Sequence, residues 1–142
     1  MRELEMDDRD VIRLLSVARA AVGVIWLLTP QKLIKAWTGE EATAVSARVV
    51  GRGFGGRDLA LAVGTLITLK DERALATWLK AGALSDAADA VSTLAALKEL
   101  GSRRRLFWAA VTAAGTAALG LRLAGAVQLH RSAGGGAGRV LT

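Results

Sequence analysis

The 142-residue chain has no cysteine, no tyrosine, one proline and one histidine, and its only aromatics are four Trp and two Phe. Without cysteine there are no disulfides, no thiolate zinc sites and no thiol nucleophile. With a single histidine, a transition-metal site would have to be built from carboxylates, which those ions do not favour, so neither a metal nor a cofactor is expected. The scarcity of β-branched and aromatic side chains argues against a sheet. Acidic residues are missing after Glu99, leaving Arg103, Arg104, Arg105, Arg122, Arg131 and Arg139 unopposed. No basic helix face and no aromatic platform accompanies them, so nucleic acid is not the implied partner. Positive charge flanking apolar helices suits anionic lipid headgroups instead.

Present in abundance are 28 Ala and 16 Gly, in a chain that is 52% hydrophobic, 23% charged and +6 in net charge. Alanine-rich sequence with closely spaced small residues predicts helices whose backbones approach one another. Four are predicted, over 7–29, 41–69, 73–100 and 102–129, joined by short loops, with a disordered Gly-rich tail over 131–142. Pro30 stops the first, Thr38 or Thr43 caps the second, and Gly101 ends the third. His130 reads as a solvated helix end.

Length separates a soluble bundle from a membrane bundle, because spanning the hydrocarbon takes about 20 mostly apolar residues. The fourth helix meets this with only Arg122 inside 106–129. The second and third meet it only if Arg52, Arg57, Asp58, Lys80, Asp86 and Asp89 are kept from lipid. Helix three is arranged for that: at 100° per residue, Trp78, Gly82, Ser85, Asp86, Asp89, Ser92 and Thr93 share one face. Leu79, Leu84, Ala87, Ala90, Val91, Leu94 and Leu97 fill the other. Helix four carries Thr112, Thr116, Gly120 and Ala124 at four-residue spacing, with Ala109 and Ala113 beside them, a stripe for tight membrane-helix packing. An all-α, four-helix transmembrane bundle is therefore expected, its Trp26, Trp37, Trp78 and Trp108 anchoring at the interfaces.

The stretch 50–59 is Gly-rich and carries Arg52, Arg57 and Asp58. Its Gly51, Gly53 and Gly56 match a dinucleotide fingerprint in spacing, but no strand precedes them, and the phosphate-loop ending is missing. Arg57 and Asp58 point about 100° apart on a helix, so each is expected to find its partner elsewhere. Asp86 and Asp89 are the expected partners of Arg57 and Arg52, and Arg13, Arg19 or Arg122 that of Asp58.

The run Gly55-Gly56-Arg57-Asp58-Leu59 with Gly64, followed by a helix bearing Gly82, Asp86 and Asp89, resembles an uncharacterised family of small four-helix membrane proteins of bacteria and fungi, near the DoxX-like group. The likeness covers most of 11–123. It implies a four-helix bundle with a polar cluster between helices two and three, in a multi-pass protein of the bacterial plasma membrane, and no established activity.

Two functions fit. In the first, Arg52, Arg57, Asp58, Trp78, Asp86 and Asp89 line a cavity, walled by helices one to three, that holds a lipophilic small molecule. In its accessory variant the cluster stabilises a membrane-protein partner or a homo-oligomer within the lipids. In the second, Asp58, Asp86 and Asp89 with a bridging arginine do acid and base work on a lipophilic substrate such as an epoxide or isoprenoid. Gly53, Gly55, Gly56, Gly64 and Gly82 either leave room for a ligand or merely let helices touch.

Overall fold

The computed structural model describes residues 2–39, 41, 43–98 and 103–137, and every regular element among them is helical. The order is α1 (Arg2–Leu28), α2 (Pro30–Thr38), α3 (Val45–Ile67), α4 (Glu72–Ala95), a 3-10 turn (Ala96–Lys98) and α5 (Arg103–Ala137).

Pro30 ends α1 as expected, but the chain does not become a loop. Proline takes the first position of α2, where a missing N–H is harmless. α2 stops at Gly39, whose φ of 83° is left-handed and whose N–H donates to the Lys35 carbonyl at 2.9 Å. α3 starts at Val45, later than expected, behind Ala44 and without a side-chain cap from Thr38 or Thr43. α4 has the cap that α3 lacks: the Asp71 carboxylate accepts from the Arg73 and Ala74 N–H groups, both at 3.0 Å. The predicted stop at Gly101 lies outside the described residues. α5 continues past 129 into the Gly-rich segment as far as Ala137, so that His130 lies inside the helix, exposed, and not at its end.

The helices pack as two pairs, α1 on α3 and α4 on α5. In the first pair the backbones touch: a Cβ on Gly55 would sit 2.6 Å from the Gly23 carbonyl oxygen, and one on Gly23 2.9 Å from that of Gly55. In the second, Gly120 faces Ala83 and the Leu79 carbonyl, and Ala110, Ala117 and Ala124 are buried. The predicted stripe thus seats α5 at Gly120 and Ala124, while Thr112 and Thr116 stay exposed. Ile12, Leu75 and Leu123, each 1% exposed, join the two pairs in a common core.

Two features depart from an ordinary globular bundle or from expectation. On α4 the buried face carries Asp86 and Thr93 beside Leu75, Ala83 and Ala90, whereas Leu84 is 74% and Val91 67% exposed. The tryptophans, in contrast, do not share a peripheral role. Trp26, Trp37 and Phe54 form an edge-packed cluster with centroids 5.7–6.0 Å apart, Trp37 Nε1 donates to Thr93 Oγ1 at 3.2 Å, and the Trp78 ring lies against Gly64. Among the four, Trp108 alone is largely exposed, at 59%.

Candidate functional site

α1, α3 and α4 each contribute charge to one chain of ion pairs. From α1, Arg19 donates through Nη2 to Asp86 Oδ2 at 2.5 Å and through Nη1 to Asp58 Oδ1 at 3.3 Å. From α3, Arg57 Nη2 reaches the same Asp58 oxygen at 3.2 Å. Arg57 also grips Asp89 in a fork, Nη1 to Oδ1 at 2.9 Å and Nη2 to Oδ2 at 2.7 Å. The order is Asp86, Arg19, Asp58, Arg57, Asp89, so every carboxylate is next to a guanidinium and no like charges adjoin. Three-residue spacing puts Asp86 and Asp89 on one face of α4. Gly82, one turn before Asp86, lies beside Arg19, whose Nη2 would stand 3.9 Å from a Cβ there, an ordinary contact. Phe54 lies under Arg57, 5.1 Å from its guanidinium carbon, a favourable cation–π placement.

This chain separates two cavities. One, of about 330 Å³, has Arg19, Asp58 and Asp86 at its polar end and Leu61, Trp78 and Leu119 among its apolar walls. The other, of about 500 Å³, meets the chain at Asp89 and is lined by the Trp26, Trp37 and Phe54 cluster. Asp58 and Asp86 are only 8% and 7% exposed. Each nevertheless keeps one oxygen, Asp58 Oδ2 and Asp86 Oδ1, to which no described residue donates. Asp89 has no such oxygen, since Arg57 takes both.

Arg57, Asp58, Asp86 and Asp89 are brought together as the sequence suggests, and Trp78 borders the first cavity. Arg52 is a correction. It is exposed and donates from Nε to the Leu27 carbonyl at 3.3 Å, serving the end of α1, because its register on α3 faces away from α4. Asp86 accordingly pairs with Arg19 rather than with Arg57 or Arg52. Arg57 and Asp58 do bond to each other, against the expectation from their angular separation, since the long arginine side chain bends back to its neighbour.

Arg19 is the residue that sequence reasoning placed least firmly, as one of three options for Asp58. Its signal was its isolation as the sole charge within 14–29. The cavity wall also differs: beside the three expected helices, α5 contributes Thr112, Thr116, Leu119 and Gly120. The glycines divide. Gly55 and Gly64 are filled by a neighbouring backbone and by the Trp78 ring, Gly53 and Gly56 face open space, and Gly82 alone lies at the charges, where a Cβ would make only an ordinary contact with Arg19.

Among the described residues no group of three or more acidic or histidine side chains is placed to share a metal ion. Compared with family models, curated proteins and solved structures, the chain matches none.

Proposed function

We propose that the chain is an integral membrane protein in which α1, α3, α4 and α5 cross the bilayer, and that the cavity on Arg19, Asp58 and Asp86 receives a lipophilic small molecule. The observation that carries this reading is the stretch of α4 around Asp86, where a carboxylate is inside and large aliphatic side chains are outside. A helix packed in a water-soluble bundle buries leucine and valine and exposes aspartate, whereas here Leu84 and Val91 are outside and Asp86 inside.

Further support comes from α1 and α5, which contain stretches long and apolar enough to span, Asp8–Leu28 and Arg103–Ser132. Only 22% of each apolar window is buried, which argues against the core helix of a soluble protein. α3 and α4 do not pass that test unaided, and the ion-pair chain supplies what they need, since charges inside a bilayer are tolerated when paired within a bundle. Exposed Lys80 lies about 12 Å along α4 from Glu72, within reach of the headgroups for a snorkelling side chain. The same architecture, in the bacterial plasma membrane, is what the resemblance to the DoxX-like group implies. The unpartnered apolar faces of α4 and α5 also suit an accessory role beside a membrane protein or a second copy.

A second reading is favoured by one detail: Arg19 bridges Asp58 and Asp86, so that two carboxylates in different surroundings face one cavity, a setting for acid and base roles. In that reading Asp89 only positions Arg57. Native mass spectrometry of mildly solubilised protein tests the binding reading. A retained small molecule is expected on the wild type and is lost in Asp86→Asn and Arg19→Gln; identical spectra from all three would reduce the cluster to a structural network. Turnover of a supplied lipophilic epoxide, abolished in Asp58→Asn, would favour the enzyme.

A further inference from the structure

Resting on the binding reading above, we infer that the ligand is an amphiphile with a protonated amine head, seated on the free oxygens of Asp58 and Asp86, with its alkyl part along the apolar wall of the 330 Å³ cavity.

Charge count is the first reason. The chain holds three carboxylates and two guanidiniums, so one negative charge is left over within it. Both terminal nitrogens of each arginine already serve aspartates. None of the residues that α5 adds to the cavity is charged, and Lys80 and Arg122 are exposed and do not line it. An uncompensated charge in a dry site is costly, and a ligand that brings the opposite charge relieves that cost.

Hydrogen-bonding capacity is the second. Asp58 Oδ2 and Asp86 Oδ1 are acceptors on residues more than nine-tenths buried, and they line the same cavity. An ammonium offers three donors in a compact head, whereas a carboxylate or phosphate head offers acceptors to a site already rich in them. Shape is the third. Beyond the core of Ile12, Leu75 and Leu123, the cavity occupies the gap between α1 and α5, and its lining includes the exposed residues Leu15, Val22, Thr112 and Thr116. The apolar approach is therefore lateral, from where lipid would lie, and it ends on the carboxylates.

The test is equilibrium binding of three probes of equal chain length, n-decylamine, n-decanol and decanoate, to the full chain in nanodiscs of zwitterionic lipid, with empty nanodiscs subtracted. Saturable binding of decylamine at a single site is expected, at least about tenfold tighter than decanol, as a charge-assisted hydrogen bond implies, with decanoate weakest. Asp86→Asn should weaken decylamine by about tenfold or more. Thr116→Leu, which narrows the cavity from an exposed position without touching a charge, should abolish the binding of decylamine. Decanol or decanoate binding as tightly as decylamine overturns the amine head and leaves the cavity reading intact. If no probe binds above empty nanodiscs, or if decylamine binds both variants like the wild type, the cavity reading itself falls.

Discussion

Arg19 holds two aspartates, and removing it strands Asp86 and leaves Asp58 with Arg57 alone. Because Asp58 and Asp86 are buried, Arg19→Gln is expected to cost about 3–5 kcal/mol, the range for breaking one partner of a buried ionic set. Arg52→Gln, at an exposed carbonyl contact, should stay within about 0.5 kcal/mol of wild type. Unfolding in mild detergent, followed by circular dichroism, compares the two; equal losses would refute the assigned hub. Asp86→Asn added to Arg19→Gln should recover part of the loss, since it removes the stranded charge. The glycines offer a sharper contrast. Gly55→Ala drives a methyl into the Gly23 carbonyl and should destabilise by about 1–3 kcal/mol. Gly56→Ala meets nothing within 4 Å and should be neutral or stabilising, by up to about 1 kcal/mol of helix propensity. Adjacent in sequence and alike in composition, these two residues differ only through which side of α3 meets α1.

For the elements, polarity and partner decide the outcome. The face pattern of α4 was legible at 100° per residue, but the pattern is the same for a helix with its carboxylates in water and for one with them inside. The arginines that approach from α1 and α3 decide between these. The absence of native cysteine makes labelling direct. Leu84→Cys and Val91→Cys, in intact membranes, should resist a water-soluble maleimide and react with a lipid-soluble one, whereas Arg73→Cys and Arg104→Cys should react with both. Ready aqueous labelling at Leu84 and Val91 would mean that α4 faces water. The break at Pro30 was equally legible, yet α2 beyond it was not, because a nine-residue helix is too short to announce itself without its glycine stop at Gly39 and its packing.

At the scale of the whole molecule, α1 with α3 and α4 with α5 form two close pairs, and the Arg19 to Asp86 and Arg57 to Asp89 contacts tie one pair to the other. Most of both apolar stretches lies outside the bundle, and it is on this exposed apolar surface that the proposed spanning arrangement rests. Alkaline carbonate should leave the protein in the membrane pellet, and detergent should release it. Recovery in the carbonate supernatant as a monodisperse species would rule out the spanning arrangement.

The helical class, the stop at Pro30, the Gly120 and Ala124 end of the α5 stripe and the grouping of Asp86 with Asp89 follow from the sequence itself, because each depends on composition or on spacing along a single helix. Interhelical distances in contrast depend on the rotation of each helix about its axis, which local sequence leaves free. Tertiary structure alone chose Arg19 over Arg13 and Arg122 for Asp58, turned Arg52 outward, packed three tryptophans against neighbouring helices and made α5 a wall of the cavity. It also left an oxygen on each of Asp58 and Asp86 to which no described residue donates, since Arg57 commits its terminal nitrogens to Asp89 and to the other oxygen of Asp58 and aims its buried Nε at no described acceptor.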